Sequence, residues 1–242
     1  MLFRLVVQLL WPARCAACNA FVPEDRAFCE DCLLSVSELP DVCPGCGLPL
    51  ADTDHGPSED ELCQGCRAHP LPFTRVWPVL AYGGATTQAI LHLKHGGHRH
   101  LARPLGALLA PVLAAALESG VDTLCPVPLH PRRLRQRGFN QSLELLRVAE
   151  RFARRAPARP RLLANGLHRI RDTPALGWES PSSRRRIVAG AFAVPRPELV
   201  QGRRILLVDD VMTTGATLSE CARVLLRAGA EEVQVMTLAR VA

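Results

Sequence analysis

Apolar positions fall into two kinds of stretch along the chain. Short continuous runs occur at 76–82 (VWPVLAY), 122–128 (DTLCPVP), 161–163, 191–194 (AFAV), 204–209 (RILLVD) and 232–239 (EVQVMTLA). Runs of this length, aliphatic on consecutive positions, predict strands buried on both faces. Between them, apolar residues recur every three or four positions. That spacing predicts helices near 85–95, 101–118 and 140–155, and one after Thr217 whose stop is marked by Gly229. Strands alternating with helices predict a doubly wound α/β domain, a mostly parallel sheet with helices on both faces. Residues 165–189 break the alternation: polar, arginine-rich and too long for an ordinary connection. Arg169, Arg171, Arg184, Arg185 and Arg186 would suit a lid over a phosphorylated ligand, and a solvated surface loop is the alternative.

The first seventy residues follow neither pattern. Residues 1–11, MLFRLVVQLLW, place apolar positions 2, 3, 6, 9 and 10 on one face of a short helix, which predicts a helix docked on the core. The run is shorter than the roughly 18 residues a membrane span needs, and no small-residue cleavage site follows it. The expectation is a cytoplasmic protein without an integral membrane segment. Beyond it, eight of the ten cysteines form four pairs of one spacing: Cys15 and Cys18, Cys29 and Cys32, Cys43 and Cys46, Cys63 and Cys66. Two cysteines separated by two residues wrap one side of a tetrahedral Zn²⁺, and two such knuckles close a four-sulfur site. The glycines of Cys43-Pro-Gly-Cys46-Gly suit backbone that must fold back toward the thiolates. Eight ligands imply two Zn²⁺ with no open position, hence a structural role. Sequential and interleaved pairings use the same residues equally well. A disulfide framework is the competing reading, disfavoured by the uniform metal spacing. Cys125 and Cys221 stand alone in apolar runs and read as small core residues.

Charge sharpens the division. Residues 1–70 carry four arginines against eleven acids, a net −7, whereas 71–242 carry a net +13. The linker PLPFTR at 70–75 marks the change, so the chain divides into a small acidic zinc ribbon, 1–70, and a larger basic domain, 71–242, suited to anionic ligands.

The candidate chemistry lies in LLVDDVMTTGAT, 206–217. In an open α/β sheet, ligands bind beyond the carboxyl ends of the strands, where Asp209 and Asp210 are placed. Thr213, Thr214, Gly215, Ala216 and Thr217 then lead into a helix, whose first amides and dipole hold a phosphate. Adjacent carboxylates would repel that phosphate. They suit vicinal sugar hydroxyls, with a divalent cation easing the charge. The chain has no GxxxxGK[ST] and no GxGxxG. A receiver domain with paired acids is excluded, since only 32 residues follow Asp210. A simple helix cap needs one such residue, not a run of them.

This segment is similar to the ribose-5-phosphate-binding signature of type I phosphoribosyltransferases, and the whole chain resembles the ComF family, in which a double zinc ribbon precedes such a domain. The paired cysteines, Leu93-Lys94, Pro126-Val127-Pro128-Leu129, Arg137-Gly138-Phe139-Asn140-Gln141, Ala191-Phe192 and the terminal loop carry the resemblance. It implies that Asp209 and Asp210 bind the ribose hydroxyls of phosphoribosyl pyrophosphate and that Thr213 to Thr217 hold its 5′-phosphate. It further implies Mg²⁺ with the substrate, the loop Pro128 to Arg137 near the pyrophosphate, residues 165–189 as a hood, and a role in DNA uptake during natural transformation. Family members often carry a glutamine after the hood's Thr-Pro and an asparagine shortly before Gly-Ala-Phe. Here those stretches read Thr173-Pro174-Ala175-Leu176 and Arg186-Ile187-Val188-Ala189, so the hood departs from the pattern. Phosphoribosyl transfer asks mainly for positioning and charge stabilisation. Arg132, Arg133 and Arg137, with Lys94, are the candidates to stabilise the leaving group. The competing reading is a non-catalytic module that binds single-stranded DNA or DNA-uptake proteins, with Arg132, Arg133, Arg135, Arg137 and Arg184 to Arg186 along a phosphate backbone. Few aromatic residues are available to stack bases, which counts against a dedicated single-strand platform. His92, His95, His98 and His100 read as a polar turn, and Trp77 and Trp178 as packing and loop residues.

Overall fold

The computed structural model describes residues 12–24, 26–39, 41–50, 62–95, 97–153, 159–174 and 179–242. The expected helix over 1–11, Trp178 and the Ala175-Leu176 pair lie outside them. Among the described residues, the first helices are two of one turn each, α1 (Glu30–Leu33) and α2 (Gln64–Ala68). Each starts on a cysteine, Cys29 and Cys63, so the turn that begins the helix also aims a thiol.

The main sheet contains β1 (Val76–Ala81), β2 (Thr123–Pro126), β3 (Arg161–Leu162), β6 (Arg204–Met212) and β7 (Glu232–Arg240). Their order is β1-β7-β6-β2-β3 and every pairing is parallel. Between them run α3 (Gly84–His95), α4 (Ala102–Leu108), α5 (Ala110–Glu118), α6 (Pro131–Arg137), α7 (Gln141–Phe152), α8 (Pro181–Val188) and α9 (Ala216–Arg227). Alternation along β6 divides the core. Leu206 and Val208 pack with Ile90 and Leu93 of α3, Leu105 of α4, Leu113 of α5 and Leu145 of α7. Ile205 and Leu207 pack on the opposite side with Leu218, Cys221 and Leu225 of α9. The continuous apolar run is therefore explained by a strand covered on both faces, and the predicted α/β architecture holds.

Several elements depart from expectation. The helix predicted over 101–118 is two helices, α4 and α5, bent by 52° after a short 3₁₀ turn at Arg99–Leu101. Pro111 sits in the first turn of α5, where it lacks an amide to donate and its ring would clash with the turn before. No single helix among the described residues is long and apolar enough to cross a membrane, and this bent pair packs its leucines into the core. The stretch Pro128 to Arg137, expected as a loop, contains α6: Pro131 is in its first turn and Gly138 closes it at φ 82°. Residues 191–194 do not join the main sheet. Phe192–Ala193 forms β5, which pairs antiparallel with β4 (His168–Arg169) to make a separate ribbon. With α8, that ribbon gives segment 165–189 a structure of its own.

The zinc-binding part lies on the sheet's edge. Ala81 N–H donates to Ser37 O at 2.8 Å, Val76 N–H to Pro44 O at 2.7 Å, and Glu38 bridges Leu80. The unpaired amides of β1, an edge open to wrong partners, are thereby occupied. Cys15, Ala16 and Phe28 join the α3 side of the core, and His92 Nδ1 lies 3.0 Å from Ala16 O.

Candidate functional site

The quartets Cys15, Cys18, Cys29, Cys32 and Cys43, Cys46, Cys63, Cys66 each bring their ligand atoms within 4.8 Å of one another. Pairing is thus sequential. The Cys18 and Cys29 sulfurs are 3.6 Å apart and those of Cys46 and Cys63 3.8 Å. A disulfide would require about 2 Å, whereas Zn–S bonds of about 2.3 Å place tetrahedral sulfurs roughly 3.8 Å apart. The Cys63 amide also points at Cys43 Sγ, 3.3 Å away. The donor sets fit structural Zn²⁺ and set the disulfide framework aside. No further group of metal-ligating side chains occurs among the described residues. His98 stacks edge-on to His92 and His100 instead of converging with them on an ion.

At the carboxyl end of the sheet lies a cleft of about 570 Å³. Of the predicted site residues, it brings together Lys94, Arg133, Arg137, Asp209, Asp210, Thr213 and Thr217. Gln136, Gln141 and Arg169 also line it. Arg132 lies outside, in an adjoining hollow of about 260 Å³ with Asp172 and Thr173. The acids do not end their strand, because β6 runs on to Met212. Asp210 is buried at 3% exposure and pairs with Lys94 Nζ at 2.9 Å. Asp209 accepts hydrogen bonds from Ser142 Oγ and from the Asp210 amide, each at 2.9 Å. Burial, reinforced by the Asp210 charge, raises the Asp209 carboxyl to about 7. Burial alone would lower the Lys94 pKa, but the charges of Asp210 and Asp209 outweigh it and raise it. Asp209 is therefore poised to titrate while Lys94 stays charged.

The segment Arg137 to Asn140 has a local explanation. Gly138 supplies the left-handed turn, Phe139 is buried in the core, and Asn140 caps α7 through the Ser142 and Leu143 amides. The Asn140 side-chain amide also donates to Val127 O at 3.0 Å, which locks the start of α7 to the end of β2. This places Ser142 under Asp209. It also sets Gln141 to accept from Arg137 at 2.6 Å. Ser142 escaped sequence reasoning because a serine after a helix cap is unremarkable in composition, and Gln141 was named only within the motif that carries the family resemblance, without a role; the Asn140 cap was the usable signal.

Across the cleft, Arg133 donates to Thr173 O at 2.8 Å, and Arg169 reaches the Thr173 hydroxyl while stacking 5.4 Å over Phe192. Burial lowers the pKa of Arg137 and of Arg169, and the nearby Arg133 adds to both effects. Guanidiniums stay charged regardless, so desolvated and mutually repelling cations line a hollow that an anion would relieve. On the floor, Gly215 caps α9 at φ 74° and a Cβ there would lie 2.8 Å from Met212 Cε. Thr214 Oγ1 is buried without a hydrogen-bond partner among the described residues. Arg184 of α8 donates to the Thr213 hydroxyl, joining the hood to this loop.

Comparison with known proteins agrees with this layout. Residues 6–67 match the Double zinc ribbon domain and residues 147–242 the Phosphoribosyl transferase domain. DNA utilization protein YhgH of Escherichia coli is 36% identical over 216 residues, covering 88% of this chain and 89% of that protein. The chain belongs to the ComF family. Two further relatives carry competence names. Competence protein F of Haemophilus influenzae is 38% identical over 121 residues, 49% of this chain and 50% of its own. Competence protein ComFC of Bacillus subtilis is 25% identical over 229 residues, covering 89% and 85%. ComF membership thus accounts for the presence of a double zinc ribbon and a phosphoribosyl transferase domain in one chain.

Proposed function

We propose that this chain binds phosphoribosyl pyrophosphate in the cleft, acts as a phosphoribosyltransferase and serves DNA uptake as its competence-named relatives suggest. One observation carries the reading: two carboxylates near the end of β6 stand beside a threonine-rich, glycine-capped helix N-terminus, in a hollow also lined by the cations Lys94, Arg133, Arg137 and Arg169. Asp209 and Asp210 would accept hydrogen bonds from the ribose 2′- and 3′-hydroxyls. The amides and hydroxyls of Thr213 to Thr217 would donate to the 5′-phosphate. Lys94, Arg133 and Arg137 would face the pyrophosphate. In the transfer, the bond from the anomeric carbon to the pyrophosphate oxygen breaks and leaves its electron pair on pyrophosphate, while an acceptor lone pair forms the new bond and the acceptor loses a proton. Fixed cations stabilise the departing charge without reorganising. Mg²⁺, arriving with the substrate, would neutralise further phosphate charge.

Calorimetric titration of the zinc-loaded protein with Mg²⁺ and phosphoribosyl pyrophosphate tests this. Binding that disappears in an Asp209→Ala, Asp210→Ala variant supports the pocket. A folded wild type that binds nothing overturns it. A specific observation favours the second reading, a module that holds nucleic acid: Arg132 and Arg135 are exposed on α6 and are not among the residues that line the cleft. Single-stranded DNA binding that weakens steeply with salt and survives the double variant would assign that role.

A further inference from the structure

The side chain of Arg240, at the end of β7, is buried at 5% exposure and touches both halves of the molecule. Its Nε donates to Cys46 O at 2.8 Å, inside the second cysteine quartet. Its Nη1 donates to the carbonyls of Met212, Thr213 and Val241, the first two of which open the loop that caps α9. A guanidinium can serve carbonyls in divergent directions because its donors are held in a rigid fork; an ammonium has a single head. A second, apolar link runs beside it. Leu71 packs on the second quartet with Cys63, Leu48 and Leu50, and its Cδ1 lies 4.0 Å from where a Gly215 Cβ would be. The Cys46 carbonyl belongs to the knuckle whose sulfur binds the metal, and the Cys46 amide is turned toward Cys43 O within that knuckle. A change in the knuckle therefore moves an acceptor that Arg240 shares with the loop.

The geometry points to Arg240 as a positioning residue that sets the shape of the Thr213–Thr217 loop against the second zinc quartet, so that metal at Cys43, Cys46, Cys63 and Cys66 tightens the anion site. The loop's role as a ligand site rests on the proposed function; its positioning by Arg240 does not. Four of the loop's neighbours (Arg240, Leu71, Phe73 and Met212) are not among the residues that line the cleft, so the effect reaches a ligand through backbone placement.

The test compares wild type, Arg240→Lys, Cys63→Ser and the double variant, all without ligand, by amide hydrogen exchange. In each single variant the amides of residues 213–217 should exchange about tenfold faster, the loss expected when charge-assisted hydrogen bonds to backbone are weakened. Core amides of Leu206 and Leu207 should keep their wild-type rates. The double variant should be no faster than the faster single variant, because both changes release one shared constraint. Wild-type loop rates in Arg240→Lys, or effects that multiply in the double variant, overturn the proposal. If Cys63→Ser does not fold, cadmium-113 resonances of the metal-substituted protein take its place. Arg240→Lys should shift one of the two sites, and two unmoved resonances overturn the link. Titration with phosphoribosyl pyrophosphate and Mg²⁺, run alongside, should show affinity about tenfold weaker in Arg240→Lys. A wild type that binds none refutes the proposed function and leaves the exchange result to decide the role of Arg240.

Discussion

Asp209 ties stability to function through one proton. Its carboxyl is held at about 7 in the folded chain, above its ordinary value, because it is buried beside Asp210. The folded state then binds this proton more tightly than the unfolded state, so stability falls as pH rises between the two values. Asp209→Asn should remove that fall and melt higher than wild type at pH 8, at roughly 2–4 °C per kcal/mol for a chain of this size. The same proton governs binding with the opposite sign. A carboxylate is needed to accept from ribose hydroxyls, so affinity for phosphoribosyl pyrophosphate should rise about tenfold from pH 6 to pH 8 as the group ionises. The ligand's own phosphates titrate in this range, and the Asn variant provides the reference: the component of the rise absent from its calorimetric titrations belongs to Asp209. Thr213 shows a subtler bias. Arg184 can only donate, so it occupies a lone pair of the hydroxyl and leaves that hydroxyl's proton for another acceptor.

At the scale of elements, two glycines with similar backbone make a contrast. Gly138 and Gly215 both have positive φ, but a Cβ at Gly138 meets nothing within 4 Å, whereas one at Gly215 meets Met212 Cε at 2.8 Å. Gly138→Ala should cost about 1 kcal/mol from conformation alone. Gly215→Ala should cost more and should also reduce ligand affinity, measured by urea unfolding beside calorimetry. The sequence made the strands of the main sheet legible, since continuous aliphatic runs such as ILLV leave few alternatives. It also placed the acids near the end of their strand, because Asp209-Asp210 follow that run directly. It did not reveal where β6 ends: the pairing of Val211 and Met212 with Ala239 and Arg240 is a tertiary fact. Pro111 could have signalled the break between α4 and α5, and Pro131 with Gly138 the helix α6, yet the surrounding aliphatic and basic patterns dominated both readings. AFAV looks like any buried strand, and only its partner, His168–Arg169, assigns it to the separate ribbon. Arg240 carried no signal of its role, because its partners are carbonyls, which every residue has.

For the whole molecule, the zinc-binding part and the sheet share backbone hydrogen bonds. Chelating both metals should raise the exchange rates of the Val76 and Ala81 amides by more than those of Leu207, and should lower the melting temperature. Equal protection of the two sets after metal loss would show that the ribbon edge holds without zinc. The opposite sign of charge on the two halves suggested separate jobs; the backbone pairing between them was invisible, since charge says nothing of which strand edge a neighbour covers. That pairing has a consequence during synthesis. On its other edge β1 pairs only with β7, and Val76 meets Val235. At 5–20 residues per second, the intervening chain takes roughly 8–30 s to emerge. Through that interval the cysteine-rich segment, already made, can supply backbone hydrogen bonds to the free edge of β1, so metal supply during translation should govern how much nascent chain is lost to aggregation.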